Sequence, residues 1–198
     1  MAEEVEQTTG KKKSVIVAIV ALVALLVVAV LAYSVLPNLQ AGASYELTPT
    51  EESDMGLSES LLSCNVEDSG GATVVLGDLS KASQKPMVIN MWASWCTHCI
   101  EEMEAYQKLY DEYGDRIEFM MLNVVDTPGE AQKARDFVKE HSFTYPVYYD
   151  SDAEVREALY VTGIPVSAIV SADGKVVMNR AGEIDYGKMK ATLERILS

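Results

Sequence analysis

The chain has 198 residues, 48% hydrophobic and 23% charged, with 16 basic and 30 acidic side chains giving a net charge of −14. This apolar content excludes an intrinsically disordered chain, the 12 Gly and 6 Pro exclude collagen-like and proline-rich sequences, and three Cys are too few for a disulfide-stapled mini-protein. A chain this acidic repels phosphate backbones, so nucleic acid is not an expected partner.

The apolar residues are concentrated near the N-terminus. Ser14 to Leu36 runs for 23 residues without a charge. As a helix it would extend about 34 Å, enough to cross a hydrocarbon core of about 30 Å. Residues 14–36 are therefore predicted to be one transmembrane anchor, closed by Pro37 and Asn38. Lys11, Lys12 and Lys13 precede it and the next cation is Lys81. The positive-inside rule then places residues 1–13 in the cytoplasm and everything after the span outside. A cleaved signal peptide is the rival reading, since Ala41-Gly42-Ala43 has small-x-small spacing. The span is far longer than a signal's apolar region of about 7–15 residues, which favours an uncleaved anchor. Leu61-Leu62-Ser63-Cys64 resembles a lipidation box, but it lies too far beyond the span to belong to it.

Residues 37–60 are rich in Ser, Thr, Glu and Gly and contain Pro49, a linker composition. Residues 61–198 are long enough to bury one core. Leu61 to Val66 and Thr73 to Leu76, separated by Glu67-Asp68-Ser69-Gly70-Gly71, read as a hairpin. Met87 to Trp92 is a buried central strand interrupted only by Asn90. Cys96 to Tyr113 is a helix whose apolar stripe is Cys99, Met103, Tyr106, Tyr110 and Tyr113. Ile117 to Val125 is a second buried strand. Thr127-Pro128 starts a helix that runs to about His141. Tyr145 to Tyr149 is a short strand, and Asp150 or Ser151 caps a helix to about Tyr160. Val166 to Val170 and Val176 to Arg180 pair across an Asp173-Gly174 turn. Asp185 to Leu197 is a closing helix with Met189, Leu193, Ile196 and Leu197 inward. Strands alternating with helices imply a helix-flanked mixed sheet of the α/β or α+β class.

The chemistry is concentrated in Trp95-Cys96-Thr97-His98-Cys99, where a buried strand gives way to a helix. Exposed N–H groups and the macrodipole at a helix start favour an anion, which makes Cys96 the candidate thiolate. Cys99, one turn inward, is spaced to close a disulfide with it and so to resolve a mixed disulfide. Zinc needs four ligands, and only the unpaired Cys64 and His141 remain. Covalent haem needs His directly after the second Cys, where Ile100 stands. No metal or other cofactor is expected.

The segment from Val88 to Cys99 resembles the active-site segment of thioredoxin-fold proteins, and more closely that of the TlpA/ResA-like family of membrane-anchored, extracytoplasmic thiol–disulfide oxidoreductases. Asn90 stands where thioredoxin has a buried Asp. Leu76-Gly77-Asp78-Leu79 with Lys85-Pro86 resembles the family's entry into its first central strand, and Glu102 matches its acidic position. Residues 127–145 resemble its added helix and strand, and Gly163-Ile164-Pro165 resembles the loop that carries a cis-proline. The resemblance covers about residues 61–198 and implies a thioredoxin-like α/β fold, a central mixed β-sheet flanked by helices, with an N-terminal β-hairpin and a helix–strand insertion. The chain departs from the family in having Thr97-His98 between the cysteines, where many members have Pro before the second Cys. Cys64 has no counterpart.

Each candidate has a bland alternative. His98 would favour the Cys96 thiolate as a cation, or it is a solvated residue at a helix start. Glu102, at i+3 from Cys99, would exchange a proton with that thiol, or it serves the helix dipole as Glu101 and Glu104 do. Pro165 with Ile164 would leave a backbone edge open to a substrate peptide, or it is a strand-leading proline. Trp95 is read as the apolar cover of the site and Trp92 as core. Cys64 is read as a lone thiol in the N-terminal hairpin, His141 as a dipole partner, and Met87, Met91, Met120 and Met121 as core filling.

The favoured function is a membrane-tethered enzyme exchanging disulfides with protein substrates. The resemblance implies reduction of apocytochrome c cysteines, with electrons from a membrane-embedded thiol donor. A disulfide-forming oxidant, which would hand electrons to a membrane acceptor, is the alternative that His98 permits. An extracytoplasmic copper carrier using Cys96 and Cys99 and a peroxide-reducing enzyme complete the set.

Overall fold

The computed structural model describes residues 51–198, together with Leu22, Leu25 and Leu26, which are helical and exposed. The rest of the anchor expected at residues 14–36, the cytoplasmic segment 1–13 and residues 37–50 of the linker lie outside the described residues. Among those described, no helix is long and apolar enough to cross a membrane.

The elements follow in the order α1 (Glu51–Leu62), β1 (Asn65–Glu67), β2 (Thr73–Val75), α2 (Leu76–Ser83), β3 (Met87–Trp92), α3 (Thr97–Tyr113), β4 (Glu118–Val124), α4 (Glu130–Glu140), β5 (Val147–Asp150), α5 (Glu154–Ala158), β6 (Val166–Val170), β7 (Val176–Ala181) and α6 (Tyr186–Ile196). The seven strands form one sheet in the order β2-β1-β5-β4-β3-β6-β7. β3, β4 and β5 run parallel, while β6 is antiparallel to β3 and β7 to β6. The N-terminal hairpin β1–β2 adds to β5 in the antiparallel sense.

β3 is buried along its whole length because it lies inside the sheet with helices on both faces. Its alternation sorts the core. Met87, Ile89 and Met91 pack with Leu61, Leu76, Met120, Leu122 and Val155, on the side of α1, α2 and α5. Val88 and Trp92 pack with Met103, Tyr106, Phe119, Met121, Ala134 and Met189, on the side of α3, α4 and α6. Asn90 has the parity of Val88 and Trp92, and Asn123 that of Phe119 and Met121, so both amides face the helices that hold the site.

Three expected boundaries are corrected. The expected linker 37–60 gives way at Glu51 to α1, which includes the Leu61–Leu62 pair read as strand. Leu57 and the fully buried Leu61 lie one turn apart on this otherwise polar helix, and Ser58 Oγ accepts a hydrogen bond from the Val176 N–H at 2.9 Å. Second, the strand expected over Thr73 to Leu76 ends at Val75, and Leu76 instead opens α2, which follows directly. It packs close to α1: a Cβ on Gly77 would stand 2.7 Å from the Leu62 carbonyl oxygen, so only glycine fits. Third, α4 starts at Glu130, not at Thr127-Pro128, because Gly129 takes a left-handed conformation (φ 82°) that a helix cannot continue through. The N-cap of α5 is Ala153, neither Asp150 nor Ser151, although Asp150 at the end of β5 accepts from the Val155 and Arg156 N–H groups.

Candidate active site

β3 ends at Trp92, and a tight turn, closed by Cys96 N–H to the Ala93 carbonyl at 3.1 Å, delivers the chain to the start of α3. Cys96 is the N-cap of that helix: its backbone is extended and its Sγ accepts from the Cys99 N–H at 3.2 Å. Cys96 and Cys99 are joined in a disulfide. Cys99 is 0% exposed and Cys96 6%, so Cys96 is the sulfur that a partner can reach. The Ile164–Pro165 peptide is cis, as the resemblance implied, and the Ile164 carbonyl oxygen lies 3.8 Å from Cys96 Sγ.

Glu102 sits one turn beyond Cys99 and is only 5% exposed. Its Oε1 accepts from Asn90 Nδ2 at 2.7 Å and its Oε2 from the Ile184 N–H at 3.0 Å. Burial pushes its pKa above the usual carboxylate range, Glu183 adds to the rise, and the two hydrogen bonds oppose it. Asn90 also approaches the Ser167 hydroxyl at 3.4 Å, and Ser167 is hydrogen-bonded to Tyr106 Oη. The acid is thus one end of a buried polar chain linking β3, β6 and α3.

His98 is exposed, and its Nδ1 meets the carboxylates of Glu101 and Glu183. These three have ligand atoms within 4.8 Å of one another, a spacing that suits a cation, although each is solvent-exposed and engaged with its neighbours. Glu183 belongs to a short segment with three contacts at the site. Gly182 N–H donates to the Pro165 carbonyl at 2.8 Å, Glu183 meets His98, and Ile184 N–H holds Glu102. Trp95 is 53% exposed beside Cys96, its indole N–H donating to Asp126 Oδ1 at 3.1 Å. Trp92 is core, and His141 closes α4 with Nδ1 2.9 Å from the Phe137 carbonyl oxygen.

The structure therefore brings together Cys96, Cys99, Glu102, Trp95, Ile164 and Pro165. His98 stands at the rim, engaged by carboxylates. Cys64 lies outside this group. It is buried between α1 and β1, ahead of the hairpin, with its thiol pushed up to about 11 by burial. Asp126, Glu183, Ile184, and a fully buried Glu130 that accepts from Ser94, are site contacts that the local sequence did not mark.

The Redoxin family profile matches residues 63–197, more than half of the chain. The chain belongs to the Redoxin family. Among curated relatives, the sporulation thiol-disulfide oxidoreductase A of Bacillus subtilis is 26% identical over 108 residues, 54% of this chain and 66% of that protein. The thiol-disulfide oxidoreductase ResA of Bacillus thuringiensis subsp. konkukian is 27% identical over 148 residues, 74% of this chain and 82% of that protein. A thioredoxin-like protein from Porphyromonas gingivalis, whose solution structure is known, superposes with a TM-score of 0.55 at 28% identity, covering 68% of this chain and 88% of its own. Thioredoxin-like architecture, the Cys96–Cys99 pair and these relatives make this Redoxin chain a protein thiol–disulfide oxidoreductase.

Proposed function

We propose that the protein is a membrane-tethered, extracytoplasmic reductant of protein disulfides. The observation that carries the reading is the asymmetry of the pair: Cys96 is reachable and capped by an N–H, whereas Cys99 is fully buried one turn from a buried carboxylate. In the reduced enzyme, the Cys96 thiolate attacks a substrate disulfide, forms a mixed disulfide and releases the first substrate thiolate. Cys99 then loses its proton to Glu102 and attacks Cys96 Sγ, which restores the Cys96–Cys99 disulfide and releases the second substrate thiolate. Two electrons pass from the enzyme dithiol to the substrate disulfide, and the substrate thiolates take up two protons. A membrane-embedded thiol donor returns two electrons and two protons to the enzyme. Ile164, ahead of Pro165, and the exposed Trp95 form the surface against which the substrate peptide lies.

The anchor at residues 14–36, with 1–13 cytoplasmic and the catalytic domain from about residue 51 outside, accounts for the uncharged span and its flanking lysines. The carboxylates of Glu101 and Glu183 favour the reducing direction over the oxidant reading, because they offset the charge through which His98 would raise the potential. Apocytochrome c cysteines are a substrate of the matching chemistry. The test is the reduction potential of the full-length protein against glutathione. A value nearer thioredoxin's about −270 mV is expected, and one nearer DsbA's about −120 mV would reverse the direction.

A further inference from the structure

Asp126 on the β4–α4 connection and Glu130 at the start of α4 grip the two residues that precede Cys96. Glu130 opens α4 and is fully buried. Its Oε1 accepts from the Ser94 N–H at 2.6 Å and from Asn123 Nδ2 at 3.0 Å, and its Oε2 accepts from the Ser94 hydroxyl at 2.8 Å. Asn123, at the end of β4, also donates to the Trp92 carbonyl at 3.4 Å. From the same connection, Asp126 accepts from the Trp95 indole at 3.1 Å. Three donors on two oxygens satisfy a buried carboxylate. What they immobilise is the Ala93–Cys96 turn, which connects the sheet to the nucleophile. Nothing in the exchange chemistry itself uses this acid.

We propose that Glu130 is a positioning residue for Cys96. By fixing Ser94 against β4 and α4, it holds Cys96 at the N-cap of α3, where Sγ faces the Cys99 N–H and the positive end of the helix dipole. A turn released from Glu130 lets Cys96 drift from that N–H, and its thiolate loses both the hydrogen bond and the dipole. The inference rests on Cys96 being the reactive thiol of the pair. Because it concerns the acidity of Cys96, it is tested apart from which sulfur captures substrate.

The experiment titrates Cys96 in the full-length reduced protein carrying Cys99→Ser, by ultraviolet thiolate absorbance, and measures kcat/KM for disulfide reduction with Cys99 present. Glu130→Ala should weaken Cys96 acidity about tenfold and lower kcat/KM at neutral pH by a similar factor. Ser94→Ala, which removes one of the three bonds, should shift acidity in the same direction by a smaller factor. Glu130→Gln should stay within about twofold of the parent, since its Oε1 can accept from the Ser94 N–H and Asn123 while its Nε2 donates to the Ser94 hydroxyl. A folded Glu130→Ala protein with unchanged Cys96 acidity would overturn the proposal. So would a Glu130→Gln shift as large as that of Glu130→Ala, because the charge and not the clamp would then be acting. If Glu130→Ala does not fold, Ser94→Ala decides: a shift of at least about twofold supports the clamp, and no shift overturns it.

Discussion

Replacing Glu102 with Gln removes the proposed proton acceptor while keeping its shape. The carboxylate accepts from two donors, Asn90 Nδ2 and the Ile184 N–H, one on each oxygen. The Gln amide must turn its own NH₂ toward one of them, so one hydrogen bond is lost, at a cost of about 1–3 kcal/mol for a buried donor. Removing a buried carboxylate offsets part of that cost. The kinetic effect is the more specific readout. A thiol of ordinary pKa, about 8.5, is only about 3% ionised at pH 7, so resolution by Cys99 without a base should slow by about thirtyfold. Rapid-quench measurement of mixed-disulfide decay isolates this step from the attack by Cys96. The deficit should shrink as pH rises above about 8.5, where the thiol ionises unaided. A second readout follows from the raised pKa of Glu102. A folded pKa above the unfolded value means that the group's contribution to stability is complete below about pH 4.3 and is lost as pH rises through the folded value. Wild type should therefore lose stability relative to Glu102→Gln across that window in urea titrations. An unchanged resolution rate at pH 7, or a deficit that persists undiminished at high pH, would refute the proton-transfer role.

Other outcomes follow from the same contacts. His98→Gln should lower the reduction potential, by no more than about 20 mV, since exposed ion pairs are worth at most about 1 kcal/mol and the Glu101 and Glu183 carboxylates already engage the ring; a rise in potential in a glutathione redox titration would contradict this. Cys64, buried and with its thiol raised to about 11, should resist alkylation at pH 8 in the native protein and react fully in denaturant, as read by intact mass. Protease added to protoplasts should degrade the catalytic domain, whereas its release as an intact soluble fragment would support cleavage after Ala43.

What the sequence made legible is what depends on local pattern. The β3 run from Met87 to Trp92 and the α3 stripe of Cys99, Met103, Tyr106, Tyr110 and Tyr113 are read directly from apolar spacing; both are buried as that spacing implies, except that Tyr110 is only half-buried. Glu102 was visible as an acid one turn beyond Cys99. Helix α1 was not, because its composition is that of a linker and its anchor, Ser58 to Val176, spans 118 residues. His98 lies between the two cysteines in sequence, but its contact to Glu183, on the segment leading into α6, is one that no local pattern marks. Glu130 reads locally as an ordinary first-turn acid, yet Ser94, its partner, lies 36 residues earlier. Each missed contact joins distant segments that only the sheet order brings together.

The division of labour between the two cysteines is tested most directly by trapping. Cells expressing Cys99→Ser and cells expressing Cys96→Ser are acid-quenched, and disulfide-linked adducts are resolved on non-reducing gels. Cys99→Ser should accumulate mixed disulfides with protein substrates through Cys96, while Cys96→Ser should accumulate none, because Cys99 is fully buried. Equal trapping by both variants, or trapping by Cys96→Ser alone, would contradict the assignment of Cys96 as nucleophile and Cys99 as resolver.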